Sequence, residues 1–463
     1  MDDERKELPP GELPATVDEL DDRRPSERPV LDASGPTTHV RFGVLALLCT
    51  AALIAYIQRN SIGAMEKVIE VELGLDKKQM GLVMSSFFLS YAVFQLPTGW
   101  LAHVFGTRRA LPIFATAWSA ATGCMGFCTG LWSLCVTRFA TGAVQAGIFP
   151  CSTNTISKWF PASARGFPNG ALASFMSVGG ATGMALAGIM LGWGVSWQMI
   201  YVLFATFGLV WAVGFYWWFR DYPSQHRRVN QAERTLIGHV LGEEESQIEE
   251  GPVEPTPWRA IFSSVAMWWI CGQHFFRAAG YIFFATWFPR YLQETHLISV
   301  KESALYTTLP LIAAVLGSLA GGTVMDWIYA KTGSLRASRQ LLAVGCMLAC
   351  AGLVFVAYFV EAVTPAVMII SSASFCATVG GPAAYTITID MGGRHVATVF
   401  STMNMSGSIG AVVFPAVVPW IESWLGWGAV LLTFGGLYVG AAVCWLMLRT
   451  DGTVFDHSLI RNR

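Results

Sequence analysis

The stretch of sequence that decides the fold is LALLCTAALIAYIQRN, residues 45–60. Apart from Thr50 and Gln58, every residue that precedes Arg59 in this stretch is apolar. Together with its neighbours it is long enough to cross a bilayer, which takes about 20 residues. Arg59 therefore lies inside a predicted membrane span with no acidic residue beside it. A charge at that depth faces a polar cavity or a partner, and it marks the path of a substrate or an ion.

The composition of the whole chain agrees with a membrane protein. Its 463 residues are 53% hydrophobic and 13% charged, whereas soluble domains carry about 25% charged residues. The net charge of −1 says little about partners because the charges concentrate in loops. The cysteines fall in apolar runs without zinc-ligand spacing, which is typical of small buried side chains. We expect no metal, no cofactor and no nucleic-acid partner.

Long apolar stretches predict an all-α polytopic membrane protein with twelve transmembrane helices in two six-helix halves. The longest interior polar stretch, residues 220–258, divides the spans six and six. The predicted spans are 42–64, 80–102, 110–128, 133–156, 168–191, 197–219, 265–290, 304–326, 340–361, 366–389, 397–420 and 425–448.

The chain is accordingly predicted to have five parts. Residues 1–40 are charged and rich in proline, and they predict a disordered cytoplasmic tail. Residues 41–219 form the first six-helix bundle, 220–260 a cytoplasmic linker and 261–448 the second bundle. Residues 449–463 are a second cytoplasmic tail. The tail at the start lacks the pattern of a signal peptide.

The distribution of lysine and arginine predicts the orientation in the membrane. Alternate loops are rich in these residues, and the opposite loops balance their lysines with glutamate and aspartate. Loops rich in Lys and Arg stay in the cytoplasm, so both termini are expected there, in a multi-pass protein of the cell membrane. The positive loops carry Arg108, Arg109, Lys158, Arg165, Arg220, Arg227, Arg228, Arg234, Lys331, Arg336, Arg339 and Arg394.

The two halves carry similar short motifs at equivalent positions. The pentapeptide GWLAH ends at His103, and its counterpart GTVMD ends at Asp326. Arg165 and Arg394 open the fifth and eleventh predicted spans at nearly the same interval. Parallel repeats of this kind are typical of transporters in which two halves rock about a site at the membrane midplane.

The segment YAVFQLPTGWLAHVFGTRRAL, residues 91–111, resembles the loop signature of the major facilitator superfamily, Gly-x-Leu-x-Asp-x-x-Gly-x-Arg. The chain is more specifically similar to the anion:cation symporter branch, with its hexuronate, galactonate and glucarate carriers and its sialin-like and phosphate/glutamate relatives. The resemblance covers nearly everything after the first tail. It rests chiefly on YIQRNSIG at 56–63, RFATGAVQAGIFP at 138–150, SKWFPASARGFPNG at 157–170 and STMNMSGSIGAVVFP at 401–415.

This resemblance implies roles for individual residues. Arg59 matches the first-helix arginine that holds the substrate anion, and Arg138 matches an arginine that opens the fourth helix. Tyr91 and Asn404 match polar residues of the second and eleventh helices, while Tyr56 is a further candidate for the cavity wall. The implied cytoplasmic gate comprises Gly99, His103, Gly106, Arg108, Arg109, Arg165, Asp326 and Arg394.

Three positions depart from the family pattern. Gln58 and Gln145 stand where the sugar-acid carriers place carboxylates, and an amide cannot take up a proton near neutral pH. Ordinary proton coupling is therefore in doubt, although both amides can still hydrogen-bond a substrate. His103 stands where the signature has aspartate, which predicts a differently balanced gate.

Arg277 lies three residues after His274 in another apolar segment, so the two share one helical face. The plain interpretation is a neutral histidine with a structural partner. The sharper hypothesis makes His274 the proton carrier, because imidazole titrates close to physiological pH. A substrate anion would then favour protonation by offsetting the charge of Arg277.

We therefore expect a secondary transporter for a small organic anion, such as a hexuronate or an aldonate, that works as a monomer. Arg59 binds the carboxylate with Arg138 or Arg277. H+, Na+ and a counter-anion are the candidates for coupling, and an uncoupled facilitator is a further alternative. A drug or metabolite exporter of the same superfamily is one alternative, although such exporters commonly need acids within the membrane. A membrane sensor that does not transport is another. No motif predicts an enzyme.

Overall fold

A computed structural model of the protein describes residues 36–238 and 255–456. Most of the predicted first tail, part of the linker and the end of the second tail lie outside these ranges. Within them the chain is helical, and the described residues form no strand. The fold is the predicted one: an all-α membrane protein of twelve spans in two halves of six.

The first half contains six spans, three of them broken into two helices. Their bounds are α1 Val40–Asn60 with Ile62–Leu73, α2 Lys77–Val93 with Gln95–Phe105, α3 Thr107–Met125, α4 Leu131–Gln145 with Ile148–Trp159, α5 Gly166–Gly192 and α6 Trp197–Trp218. Short helices at Gln231–Gly238 and Trp258–Ser263 follow in the linker.

The second half repeats this order. Its spans are α7 Val265–Thr286 with Phe288–Thr295, α8 Val300–Thr332, α9 Leu342–Tyr358 after a π-helical turn at Arg336–Leu341, α10 Val363–Val379 with Gly381–Asp390, and a run Val396–Met447 that contains α11 and α12. The run breaks at Gly426, whose φ of 76° suits glycine, so α11 covers residues 396–425 and α12 covers 427–447.

Not every span is apolar enough to be recognised by hydropathy alone. Eight described helices are long and apolar enough to cross a membrane, and the bent pair that forms α2 makes nine. The remaining spans are α3, α4 and α7. The observed bounds also differ from the predicted ones, since α8 begins earlier and ends later than residues 304–326 and α1 continues beyond residue 64.

Residues of the linker fasten it to the start of α1. The buried carboxylate of Glu233 accepts hydrogen bonds from the backbone N–H groups of Val40 and Arg41, at 3.2 Å each, and from the Thr38 hydroxyl at 2.6 Å. An anion is favourable at a helix N-terminus, where backbone donors lack partners inside the helix. We call the face of the bundle that carries this contact the linker face.

The end of the described chain lies on the same face. Val454 donates its backbone N–H to the carbonyl oxygen of Met391, just beyond the end of α10, at 2.9 Å. The first and last described residues are therefore on one side of the bundle.

Candidate functional site

A cavity of about 240 Å³ lies between the two halves. Spans α1, α2, α4 and α5 contribute to it from the first half, and α7, α8, α10 and α11 from the second. Two arginines but no carboxylate line it among the described residues. Its polar and aromatic lining consists of Tyr56, Arg59, Tyr91, Phe149, Ser177, His274, Arg277, Tyr281, Ser318, Thr378, Tyr385, Asn404 and Ser408.

Arg59 is held by aromatic faces rather than by an acid. Its guanidinium carbon lies 4.6 Å from the ring centre of Phe87 and 4.7 Å from that of Tyr91, with Tyr56 and Phe88 each at 5.1 Å. Its Nη1 donates a hydrogen bond of 3.2 Å to the Tyr56 hydroxyl. Aromatic faces attract a cation without neutralising it, so Arg59 keeps its charge for a ligand in the cavity.

Arg138 does not line the cavity, although the sequence suggested it as a substrate ligand. It is 2% exposed, and its Nη1 donates a hydrogen bond of 3.2 Å to the backbone oxygen of Arg59. Its guanidinium carbon lies 4.6 Å from the ring centre of Phe87. It thus touches both the backbone of Arg59 and one ring of its aromatic support. Its position is that of a residue that orients Arg59 from behind.

Gln58 and Gln145 also point away from the cavity. Gln58 donates to the backbone oxygen of Phe204 at 2.6 Å, and Gln145 donates to that of Ala55 at 3.2 Å. Successive residues on a helix are turned by about 100°, so Gln58 faces the inside of its own half when Arg59 faces the cavity. The two amides therefore join α1 to α6 and α4 to α1 by hydrogen bonds within the first half.

On the opposite wall, Arg277 and His274 form one unit. Arg277 Nη2 lies 3.2 Å from His274 Nδ1. Because a guanidinium has only donors, Nδ1 must accept and the imidazole must be neutral with its proton on Nε2. Asn404 is the further hydrogen-bond partner of the ring. The surroundings of the ring therefore define its tautomer.

Close backbone packing holds this ring in place. A Cβ added at Gly407 of α11 would overlap the imidazole of His274, so only glycine allows the helix to lie against the ring. Tyr385 packs on the other side with its ring centre 6.1 Å from that of His274. Tyr385 was not among the predicted site residues, and its one signal in the sequence is the GGP at 380–382, which breaks α10 just before it.

Two hydrogen bonds and an ion-pair network join the halves at the linker face. The carboxylate of Asp326 accepts from the backbone N–H groups of Gly166 and Phe167, at 2.8 Å each, which begin α5. We call this contact the α5–α8 arm. Beside it, Asp390 pairs with Arg165 and with Arg339, at 3.1 Å each. Asp390 and Arg339 were not among the predicted gate residues, although Asp390 is a lone acid at the end of an apolar span.

A second contact joins the halves across the same face. The rings of His103 and His395 lie 4.6 Å apart, and the backbone of Gly99 packs against Ser401 and the carbonyl oxygen of Ala397. We call this contact the α2–α11 arm. Both arms close the cavity toward the linker face.

The other predicted gate residues surround these arms. At Gly106, with φ of 72°, the chain turns from α2 into α3, and Asp221 sits against it and accepts the Arg108 backbone N–H at 2.9 Å. The Arg108 guanidinium lies over Tyr216, and Arg109 is exposed. Arg394 directly precedes His395 at the start of α11.

A helical membrane protein whose two six-span halves enclose a charged cavity has the architecture of a secondary transporter. The family model of the Major Facilitator Superfamily matches residues 48–389, and the chain belongs to this superfamily.

Known relatives are transporters rather than enzymes, and they match the anion:cation symporter branch. A probable sulfoacetate transporter of Cupriavidus necator is 31% identical over 81% of this chain and 86% of its own. A D-galactonate transporter of Escherichia coli is 26% identical over 89% and 96%. Among solved structures, a proton:xylose symporter superposes with a TM-score of 0.68 at 13% identity over 88% and 96%, which supports the fold alone.

Proposed function

We propose that this protein moves a small organic anion across the membrane by alternating access, with Arg59 as the principal ligand of the anionic group. The observation that carries the proposal is the cavity between the halves, which is lined by two guanidinium groups and, among the described residues, by no carboxylate. A cationic cavity that lacks its own counter-ion favours an anion from solution. The relatives carry sulfoacetate or galactonate by name, and both are small organic anions.

The side chains around Arg59 fit an acidic sugar or another hydroxylated acid. A guanidinium binds a carboxylate or sulfonate through two parallel hydrogen bonds. Tyr56, Tyr91 and Asn404 line the same cavity and offer donors to hydroxyl groups. Gln58, Arg138 and Gln145 support Arg59 and its half from behind, so we assign them positioning roles.

We place the linker face in the cytoplasm, because the loops rich in Lys and Arg lie there. Both termini are then cytoplasmic, and the protein is a multi-pass protein of the cell membrane that acts as a monomer. In this orientation the closed arms block the cytoplasmic exit while the cavity awaits substrate from outside. Rocking of the two halves would open the arms and release the anion inside.

Coupling to protons is proposed to run through His274. Its Nδ1 accepts from Arg277, so it cannot take a proton while that contact lasts. A substrate anion that draws Arg277 toward itself frees Nδ1, and the same anion stabilises the resulting imidazolium. Substrate and proton would then bind together, as symport requires.

The test is uptake by proteoliposomes that contain the purified full chain. Labelled sulfoacetate, galactonate, hexuronates and other small anions are offered with and without a pH gradient, a Na+ gradient and internal anion. We expect Arg59→Gln to lower uptake at least about a hundredfold, because a bidentate charged contact contributes roughly 3 kcal/mol. His274→Gln should remove the response to the pH gradient and leave anion exchange.

A matched control separates the loss of Arg59 from a general loss of positive charge. Arg227 is exposed in the linker, and Arg227→Gln should leave uptake unchanged. If the folded protein takes up no anion under any gradient, the proposal is wrong. Export of a cationic dye would then favour a drug exporter, and substrate binding without flux would favour a sensor.

A further inference from the structure

We propose that the transported substrates are dianions, whose two negative ends join Arg59 of the first half to Arg277 of the second half. This inference rests on the proposed function and adds a rule for selectivity. A dianion lets the two halves close over the cavity, whereas a monoanion binds without allowing efficient closure.

The two arginines face one cavity from different halves. Arg59 belongs to α1 and Arg277 to α7, and both line the cavity. No carboxylate in the described parts of the chain lies within 4.0 Å of either guanidinium. The cavity therefore holds two positive charges that the surrounding protein leaves uncompensated, one on each moving half.

On the Arg277 side of the cavity, two buried polar atoms that lack a hydrogen-bond partner among the described residues are donors. The Nε of Arg277 and the Nδ2 of Asn404 are buried and have no hydrogen-bond partner among the described residues. Buried donors without partners are uncommon in folded proteins. A second acidic group of a ligand, placed between these atoms, would satisfy both, while Arg59 holds the first acidic group.

The number of charges on the ligand determines whether the cavity can close at the face opposite the linker face. Like charges repel more strongly as water leaves and the local dielectric constant falls, so an empty cavity resists closure. A monoanion neutralises one arginine and leaves the other as a buried unpaired charge, which strongly destabilises a closed state. A dianion pairs with both arginines and leaves neither of them as a buried unpaired charge.

The cavity volume limits the size of such a ligand. About 240 Å³ is below the range of roughly 300–1,000 Å³ for pockets that bind drug-sized molecules. A short chain with an acid at each end is compatible with this volume. The charge rule applies equally to a dicarboxylate and to a carboxylate with a sulfonate.

Two matched pairs of probes test this rule on the full chain in proteoliposomes. Glucarate differs from gluconate, and sulfoacetate from 2-hydroxyethanesulfonate, by one carboxylate in place of a CH2OH group. We expect uptake of each dianion to exceed that of its monoanion at least about tenfold. Binding of the monoanion, measured by competition, should fall by much less than its transport.

The variant Arg277→Gln separates a ligand role from a structural one. It should lower dianion uptake at least about tenfold and raise monoanion uptake, because a monoanion then meets a single arginine and leaves no unpaired charge, so the preference disappears or reverses. Arg277→Lys keeps the charge and should keep the preference at lower affinity. The comparison of probes in the unaltered protein stands even if a variant fails to fold.

The outcomes distinguish this rule from the proposed function. Equal transport of both members of each pair, or transport of monoanions alone, overturns the dianion rule while anion transport itself stands. An equal loss of dianion and monoanion uptake in Arg277→Gln also overturns it. Absence of uptake for every anion contradicts the proposed function itself.

Discussion

The α5–α8 arm and the α2–α11 arm occupy equivalent places in the two halves, yet they hold the linker face closed by different chemistry. In each arm the end of a second span meets the beginning of a fifth span from the other half. Asp326 supplies a carboxylate to the first turn of α5. His103 supplies an imidazole that lies against His395 before α11.

The α5–α8 arm joins a negative charge to a helix N-terminus. Two backbone donors and the positive end of the helix dipole face one carboxylate, which is a favourable arrangement. The Asp390 network with Arg165 and Arg339 adds two ion pairs beside it. This arm depends on charge.

The α2–α11 arm depends on neutrality and fit. Two imidazoles whose ring centres lie 4.6 Å apart at the start of a helix repel each other if both are charged. The absence of a side chain at Gly99 lets α2 approach Ser401 and Ala397. One gate thus combines the α5–α8 arm, which is stabilised by charge, with the α2–α11 arm, which added positive charge would weaken.

The largest effect is expected from a substitution that breaks the α5–α8 arm. Asp326→Asn removes the charge and one acceptor from two charge-assisted hydrogen bonds, a loss of about 2 kcal/mol, so the population with an open linker face should rise about thirtyfold. Spin labels at Arg109 and Lys331, exposed residues of the two halves, report the opening as a longer distance in a cysteine-depleted background.

The same substitution at the equivalent position is the control. His103→Asn introduces no charge into the α2–α11 arm, and we expect a change in the open population below about threefold. If the two asparagine variants open the linker face equally, the two arms do not differ in the way that their chemistry indicates.

A smaller effect is expected when the α2–α11 arm is made too bulky. Gly99→Ala places a methyl group on the Ser401 side chain and 3.0 Å from the Ala397 oxygen. Overpacking of this kind destabilises by about 1–2 kcal/mol, so the same labels should report about tenfold more open molecules.

Two further variants show whether the contact at Gly99 causes the expected opening of the linker face in Gly99→Ala. Ser401→Gly removes the overlapped side chain and should restore part of the closure in the double variant. Gly81 lies in the same span with no atom within 4 Å of an added Cβ, so Gly81→Ala should change nothing. Equal effects of Gly99→Ala and Gly81→Ala would refute the fit as the cause.

Much of this arrangement could be predicted from sequence because it depends on composition and repetition. Arg59 is conspicuous within an apolar span, and Asp326 is the counterpart of His103 in a repeated pentapeptide. The fold and the place of the cavity follow from these features. The helical rotation between Gln58 and Arg59 also follows from the geometry of a helix, although family resemblance suggested that both face the substrate.

Contacts between distant parts of the chain could not be predicted in this way. His395 gives no sign in the sequence that it will meet His103, because the partners come from different halves. Asp390 bridges Arg165 and Arg339 only after three spans have packed. Arg138 is an intramembrane charge like Arg59, and only its rotation toward the Arg59 backbone oxygen distinguishes it from Arg59, which lines the cavity.

The smallest expected effect is a response of the α2–α11 arm to pH. Imidazoles gain charge as the pH falls from about 8 to about 5.5, and charge on His103 or His395 repels its neighbour and the N-terminus of α11. Arg394, which directly precedes His395, has the same sign. We expect acid at the linker face to raise the open population about fivefold, since roughly 1 kcal/mol is lost.

The variant His103→Asp should reverse this response. Its carboxylate would face the start of α11 as Asp326 faces α5, and protonation of His395 would then strengthen the contact. Burial and then the charge of Arg220 lower the pKa of His226, so this ring takes up its proton at lower pH than an exposed imidazole. Asp456, on the segment against His395, is bound to Thr453. An unaltered acid response in His103→Asp would show that the α2–α11 arm is not the group that senses pH.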